Sequence, residues 1–432
     1  MLTAIIYLSF GIRRAKSFTS AYPALVFCML GAAALFACNV QEQKTPPTLN
    51  WYVFDEPSGA FTIAANNCSQ ASRQSYQVSV VPLPADADQQ REQLVRRLAA
   101  GDKAIDIIGM DVIWTAEFAR AGWILPWNGD VADQARAGRL RASLESATYQ
   151  NQLWAAPFTT NTQLLWYRTD RIDQPPATWD EMMRQAEALG DVGTIQAQGE
   201  RYEGFTVFFI SLLASAGGTV LDASGEKIAL AQNPTLQALS TMARFANSPV
   251  ADPALAAARE DQTRLAFEAG NSTFMLNYTY VWPSAKQNAP AIAAHMGWAR
   301  WPALAPGRPS RVTIGGINLG VSTHSQHAQL AFRAAACIAS EKHQRVAAEL
   351  GGLPPTIAKL YDDPKVRETF PFADILRSTL QDAVQRPQTP LYNDVSLAIS
   401  RTLHPMRDIQ PERDIGRLRK AISRALNSEG LL

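Results

Sequence analysis

Residues Ala104-Ile105-Asp106-Ile107-Ile108-Gly109-Met110 form a short, almost wholly apolar run that ends immediately before Asp111. Such a run is typical of a strand that is covered on both faces in a parallel sheet. Strand patterns also occur at residues 49–53 and 76–81, and a helical pattern at residues 89–100 precedes the quoted run. Strands that alternate with helices predict an α/β sheet with crossover connections. Ligands bind at the carboxyl ends of strands in such sheets, which makes Asp111 a candidate ligand contact.

The rest of the chain continues this alternation. Further strand patterns lie at residues 163–167, 273–276 and 312–321, and a helical pattern at residues 205–216 ends at two glycines. A chain of 432 residues is long enough for two domains of ordinary size. The sequence therefore predicts a two-domain protein of the α/β class.

The composition and the missing motifs exclude several classes of protein. Apolar residues make up 47% of the chain, charged residues 18%, and the net charge is +1 without any basic run. These values do not fit a disordered chain or a nucleic-acid-binding protein. The chain has no glycine-rich phosphate loop and no G-x-S-x-G turn, and its five histidines are scattered, so we expect no cofactor and no metal. A glycosidase stays possible, because it needs only two well-placed carboxylates.

The N-terminus has the features of an export signal. Basic residues within residues 13–16 precede an apolar stretch at residues 21–37, which ends in Leu-Phe-Ala before Cys38. This pattern predicts a signal peptide at residues 1–37, after which Cys38 is acylated as in bacterial lipoproteins, and a polar tether at residues 38–48. A transmembrane helix over the apolar stretch is the alternative. Removing the signal leaves a net charge of −2, which gives no electrostatic reason to expect a charged ligand or an anionic polymer.

Two cysteines remain beyond the predicted lipid attachment site. Cys68 and Cys337 both lie in segments with helical patterns. Thiols of exported proteins usually pair, so we predict a disulfide that holds both segments in one domain, with two buried free thiols as the alternative.

Five motifs occur in one order along the chain: residues 111–118 (DVIWTAEF), 155–162 (AAPFTTNT), 178–182 (TWDEM), 265–270 (LAFEAG) and 315–319 (GGINL). In this order the chain resembles the family 1 extracellular solute-binding proteins of ABC importers, the maltose-binding type, over nearly all of residues 49–425. Within that family the likeness is greatest to trehalose-binding lipoproteins of mycobacterial importers. Residues 159–167, 215–218, 351–354 and 386–387 carry this likeness.

The resemblance implies a two-lobed periplasmic-binding-protein fold of class II, with a ligand cleft and a hinge between the lobes. It implies an N-terminal lobe formed by residues 49–157 plus 312–352, and a C-terminal lobe formed by residues 158–311 plus 353–432. The protein would be a monomer that closes over a small solute and then docks on the transmembrane subunits of a permease. No bond of the solute would be broken.

A neutral disaccharide needs carboxylates and amides for its hydroxyls, a forked donor and aromatic rings for its C–H faces. On this chemistry and the resemblance, we expect the ligand to contact Asp111, Asn161, Glu203, Tyr278, Tyr280, Trp282, Gly352, Leu353, Arg386 and, on a weaker local match, Glu56. Each side chain also has a structural alternative. The acids could cap helices, the asparagine could belong to a hinge turn, the aromatic residues could pack in the core and the arginine could form a surface ion pair.

These observations predict an extracytoplasmic lipoprotein that binds trehalose or a related α-glucoside for an ABC importer. Three alternatives stay open at this stage. The first is a secreted glycosidase with Asp111 and Glu203 as its carboxylate pair, the second a binding protein for another solute, including another oligosaccharide, and the third a purely structural lipoprotein.

Overall fold

The computed structural model describes residues 45–84 and 86–429. The predicted signal peptide, Cys38 and most of the predicted tether lie outside these residues. The first strand begins at Thr48, the last residue assigned to the tether. Within the described part of the chain, every helix is too short or too polar to cross a membrane.

The described residues form these strands: β1 (Thr48–Phe54), β2 (Gln77–Leu83), β3 (Ile107–Asp111), β4 (Thr148–Tyr149), β5 (Gln152–Leu153), β6 (Ala156–Asn161), β7 (Leu164–Arg168), β8 (Ile195–Gln196), β9 (Phe274–Asn277), β10 (Met296–Ala299) and β11 (Gly315–Val321). They form these helices: α1 (Ala60–Ala71), α2 (Ala87–Ala99), α3 (Thr115–Arg120), α4 (Gly129–Arg136), α5 (Arg141–Ser146), α6 (Trp179–Ala188), α7 (Glu203–Ser215), α8 (Gln232–Ala246), α9 (Glu260–Glu268), α10 (Val281–Asn288), α11 (Pro290–Ala293), α12 (Ala328–Ile338), α13 (Glu341–Gly351), α14 (Pro364–Thr369), α15 (Ala373–Asp382), α16 (Tyr392–Leu403) and α17 (Pro411–Leu426).

The first sheet has five strands in the order β2-β1-β3-β11-β6. Strands β1, β2 and β3 run parallel, whereas β11 is antiparallel to both of its neighbours. The apolar run quoted from the sequence becomes β3, but the strand begins only at Ile107, because the Asp106 carboxylate accepts a bond from the Asn50 backbone amide at 2.9 Å. Gly109 lets β1 approach closely, since a Cβ there would lie 2.4 Å from a methyl group of Val53. We call this sheet and the helices packed on it the first lobe.

The second sheet has four strands in the order β10-β7-β9-β8. Its central strand β7 is antiparallel to β10 and β9, and β8 is parallel to β9. The second lobe consists of this sheet and the helices around it, and aromatic side chains such as Trp179 and Phe208 fill its core. Helix α7 begins at Glu203, two residues before the helical pattern in the sequence, and this places the Glu203 carboxylate at a helix N-terminus.

The chain passes between the two sheets more than once. It leaves the first sheet at the end of β6 and enters the second at β7, and it returns between β10 and β11. The carboxyl end of β3 therefore faces elements of the second lobe. The expectation of two α/β lobes is confirmed by this topology.

A disulfide joins two helices of the first lobe. The sulfur atoms of Cys68 in α1 and Cys337 in α12 are 2.05 Å apart, and the bond closes a chain separation of 269 residues. His343 lies beside it, with Nδ1 2.8 Å from the Cys337 carbonyl oxygen. The pairing is the one expected from the sequence, and it ties the beginning of the lobe to the segment that returns after β11.

Replacing both Cys68 and Cys337 with alanine should lower the free energy of unfolding by about 2–4 kcal/mol, because the unfolded chain then regains the freedom that this long closure removes. Urea unfolding of the two proteins measures the difference. The wild-type protein in reducing buffer serves as the control and should lose a similar amount. Peptide mapping without reductant should recover a cross-linked Cys68–Cys337 peptide, and complete alkylation of both thiols would contradict the pairing.

Candidate ligand-binding cleft

A cavity of about 470 Å³ lies between the two lobes. This volume is in the usual range for small-molecule sites. Its lining comes from both lobes and is rich in charged side chains: Asp86, Ala87, Asp88, Asp111, Asn161, Tyr202, Glu203, Gly204, Val207, Arg259, Glu260, Asp261, Gln262, Tyr278, Gly315, Gly316 and Arg386. Six of these residues are acids and two are arginines, so the cavity is acidic.

Arg386 occupies the centre of the polar lining and connects the lobes. Its Nη2 is 3.1 Å from the Asp111 carboxylate at the end of β3, and its Nη1 is 2.9 Å from the Glu203 carboxylate on α7. Nη2 also lies 3.4 Å from the Ile314 carbonyl oxygen. The Arg386 side chain is only 5% exposed. Burial opposes its charge, but the carboxylates of Asp111 and Glu203 raise the pKa of Arg386 above its ordinary value.

The Glu203 carboxylate accepts hydrogen bonds from three side chains. Besides Arg386, the Tyr392 hydroxyl donates to Oε1 and the Ser396 hydroxyl donates to Oε2. Ser396 is itself 3.0 Å from the Thr206 hydroxyl. Helix α16 thereby fixes the carboxylate, and the carboxylate fixes the arginine. A site held in this way is ordered before a ligand arrives, which lowers the entropy cost of binding.

One wall of the cavity is formed by the pairing of β6 with β11. A Cβ at Gly315 would lie 2.1 Å from the Asn161 Oδ1 atom, and a Cβ at Gly316 would lie 2.2 Å from the Thr159 carbonyl oxygen. Gly316 also has a φ of 130°, a backbone conformation that residues with a side chain rarely adopt. The two glycines therefore let the Asn161 amide reach the cavity. Asn161 Oδ1 is buried and has no hydrogen-bond partner among the described residues, so an acceptor is left for a ligand or water.

Two further carboxylates face the cavity from opposite lobes. Asp88 belongs to the first turn of α2, and Glu260 begins α9. Burial, followed by the neighbouring Asp86 carboxylate, raises the pKa of Asp88. Burial also raises the pKa of Glu260, although the charge of the neighbouring Arg259 partly opposes the shift. Carboxylates that line a cavity favour a ligand that supplies hydrogen-bond donors.

The structure brings five of the ten predicted contacts to this cavity: Asp111, Asn161, Glu203, Tyr278 and Arg386. The structural alternative for Asp111 also holds, since its Oδ1 accepts a bond from the Ile113 backbone amide at 3.1 Å. We expected the Arg386 guanidinium to be free to donate paired hydrogen bonds to the ligand. In the structure both of its terminal nitrogens already bind carboxylates of the protein. Its Nε is buried without a partner in the described part of the chain.

The other five predicted contacts do not line the cavity. Glu56 caps α1, and its two oxygens accept bonds from the backbone amides of Ser58 and Ala60, each at 2.9 Å. The Trp282 ring packs against Trp298 with the ring centres 5.4 Å apart, next to a separate surface groove. The structure does not bring these two residues to the cavity, and their contact with a ligand stays a prediction.

Tyr280, Gly352 and Leu353 lie outside the lining for related reasons. The Tyr280 hydroxyl donates to Asp261 at 3.2 Å and so supports a lining residue from behind. Gly352 ends α13 with φ of 62°, and its carbonyl oxygen accepts a bond from Thr279 at 3.4 Å. Leu353 packs on the core of the first lobe. None of the three lines the cavity, and their contact with a ligand stays a prediction.

Several lining residues were missed by the sequence analysis. Asp86 and Asp88 come shortly after the end of β2, and Asp111 is the last residue of β3, so the same argument about strand ends applies to all three. Arg259 and Glu260 begin a helix, where an acid is expected for reasons of helix stability alone. Their approach to the cleft depends on the packing of two lobes, which no local pattern reveals.

Comparisons with known proteins agree on one family. Residues 73–345 match the model of the bacterial extracellular solute-binding proteins. A probable ABC transporter-binding protein of Deinococcus radiodurans is 29% identical over 356 residues, which cover 77% of this chain and 82% of that protein.

Solved structures extend the likeness to the whole fold. The maltose-bound MalE3 of T. maritima has 27% sequence identity and a TM-score of 0.78, and the match covers 87% of this chain and 99% of that chain. The GacH receptor of Streptomyces glaucescens has 18% identity and a TM-score of 0.77 over 88% of this chain and 99% of that chain, which shows the fold alone. The predicted maltose-binding-like fold with two lobes is confirmed.

Changing Arg386 to alanine should lower the free energy of unfolding by about 3 kcal/mol, because the partly buried carboxylates of Asp111 and Glu203 lose their shared cation. Chemical denaturation measures this loss. The matched control is Arg377→Ala, which removes an exposed ion pair with Asp362 and should cost less than about 0.5 kcal/mol. Equal losses in the two variants would show that the central ion pair adds nothing.

Proposed function

The chain belongs to the bacterial extracellular solute-binding protein family, and from this we propose that it captures a neutral disaccharide, trehalose or a related α-glucoside, for an ABC importer. The lobes close over the sugar, and the closed form delivers it intact to the permease. The observation that carries the proposal is the set of Asp111, Arg386 and Glu203, which spans a cavity of sugar size between two lobes.

The chemistry of the cavity supports a polyhydroxyl ligand. Asp88 and Glu260 line the cavity with carboxylate acceptors, and the Asn161 amide oxygen is an acceptor without a partner among the described residues. Sugar hydroxyls donate to such groups, and a stereoisomer that misplaces a hydroxyl would leave one of them unpaired at a cost. Tyr278 lies in the same lining and supplies a ring for a C–H face of the sugar.

The acidity of the cavity supports an uncharged sugar rather than an anionic one. Both arginines of the lining already bind carboxylates of the protein: Arg386 binds Asp111 and Glu203, and Arg259 binds Asp86. A phosphate would therefore meet excess negative charge and no free guanidinium. The maltose ligand of the similar T. maritima protein is a neutral disaccharide and supports the same ligand class.

The protein is a binding protein and not an enzyme, because the family and its relatives are solute-binding proteins. The glycosidase alternative with Asp111 and Glu203 as its pair is thereby overturned. The two carboxylates instead share the Arg386 guanidinium, and their role in the proposal is to accept hydroxyl protons in hydrogen bonds.

The proposal includes the cellular arrangement of the protein. The family is extracellular, which fits an exported chain. We propose that Cys38 carries the lipid anchor, that residues 38–48 form the tether, and that the monomer docks on the permease. In the proposal the lobes comprise residues 49–157 plus 312–352 and residues 158–311 plus 353–432.

Titration calorimetry with trehalose, maltose and sucrose tests the proposed function. We expect heat of binding with at least one α-glucoside and no released glucose after incubation. The Asp111→Ala variant should bind about 2–4 kcal/mol more weakly than the wild type, because it strands polar groups of the ligand and of Arg386 in the cleft. Glu56→Gln is the matched control and should bind normally. No heat with any of the three sugars would overturn the assignment of the sugar class.

A second prediction concerns discrimination by charge. Trehalose 6-phosphate should bind at least about tenfold more weakly than trehalose, since the acidic lining repels the phosphate. Competition of the two sugars in the same calorimetric assay measures the ratio. Comparable affinities would mean that one of the arginines is released to bind the phosphate.

A further inference from the structure

A second ion pair joins the two lobes, at the edge of the cavity. Arg259 precedes α9 in the second lobe, and its Nη1 is 3.0 Å from the Asp86 Oδ2 atom of the first lobe. Both residues line the cavity. The Arg259 side chain is 38% exposed and the Asp86 side chain 28% exposed, against 5% for Arg386. The contact between Arg259 and Asp86 therefore lies nearer to solvent than the contacts of Arg386. It is on the side of the cavity at which a ligand would enter and leave.

The second lobe holds the Arg259 guanidinium in place. Its Nε and Nη2 bind the two oxygens of Glu200 at 2.8 and 2.7 Å, and its centre lies 4.6 Å from the centre of the Tyr202 ring. The Glu200 backbone amide also bonds to the Ala258 carbonyl oxygen at 3.2 Å, so Glu200 is bonded directly to the residue that precedes Arg259. A cation fixed by a bidentate carboxylate and an aromatic ring loses little entropy when it meets a further partner.

The first lobe holds the Asp86 carboxylate in place through a bond to the backbone of a helix. Asp86 is the N-cap of α2, and its Oδ1 accepts a bond from the Gln89 backbone amide at 2.9 Å. Its Oδ2 is directed at Arg259. Each partner is thus anchored to its own lobe by other bonds, and the contact between them can form only when the lobes approach each other.

We infer that Arg259 and Asp86 form a clasp across the mouth of the cleft that slows the release of the bound sugar. The part of this inference that concerns a bound sugar rests on the proposed function. The part that concerns closure of the lobes does not depend on it. Breaking an ion pair of this exposure changes an equilibrium by about two- to fivefold. That change should appear in the dissociation rate, because the clasp must open before the bound sugar can leave.

The decisive variant is Asp86→Asn, because asparagine caps a helix as well as aspartate and removes only the charge. Stopped-flow release of trehalose should be about two- to fivefold faster than in the wild type. Added salt should accelerate release from the wild type more than from the variant. The matched control is Glu117→Gln, which breaks an ion pair with Arg91 inside the first lobe and should leave release unchanged.

A double-mutant cycle separates the clasp from a direct contact between Asp86 and the sugar. In an Arg259→Ala background, Asp86→Asn should have no further effect on release. If Asp86→Asn keeps its full effect in that background, Asp86 acts on the ligand itself and the clasp is wrong. An unchanged dissociation rate in the single variant would also overturn it.

A measurement without ligand keeps the clasp and the proposed function apart. Spin labels placed on exposed positions of the two lobes report the distance between the lobes in the ligand-free protein. Asp86→Asn should shift the distances toward the open form, even if no sugar binds. Identical distance distributions in the variant and the wild type would overturn the clasp, whatever the calorimetry with sugars shows.

Discussion

One guanidinium, that of Arg386, is the contact on which the cleft depends. It is nearly buried and lies between Asp111 of the first lobe and Glu203 of the second. The two carboxylates offset the hydration that the buried guanidinium has lost, and the guanidinium lowers the cost of holding two carboxylates close together. The two lobes are therefore coupled through a shared ion as well as through the chain that crosses between them. Sugar hydroxyls then enter a site whose charges are already ordered.

The fold was predictable from the sequence because its signals are local. The apolar run that became β3 and the patterns of β1, β2 and β7 identify strands whichever partners they have. Asp111 was predictable for a related reason, since a polar residue after a buried strand lies where ligands bind in α/β sheets. The family motifs along the chain then supplied the two-lobed arrangement, which no single pattern contains.

The rest of the site could not be predicted, because it is formed by the approach of distant segments. Glu56 has the chemistry of a ligand contact, but its oxygens cap α1. Trp282 follows Tyr278 by only four residues, yet one ring packs in an aromatic cluster and the other faces the cavity. Arg259 and Asp86 are 173 residues apart, and only the packing of the lobes shows that they meet.

The order of strands in the first sheet bears on how the protein is made. Strand β11 lies between β3 and β6, although it follows β6 by about 150 residues, and the disulfide to Cys337 closes the same lobe still later. A growing polypeptide therefore lacks an interior strand of its first sheet until residue 321 has been synthesised. Completion of the first sheet therefore waits until most of the chain is present, which makes the closure of the first lobe a late event in folding.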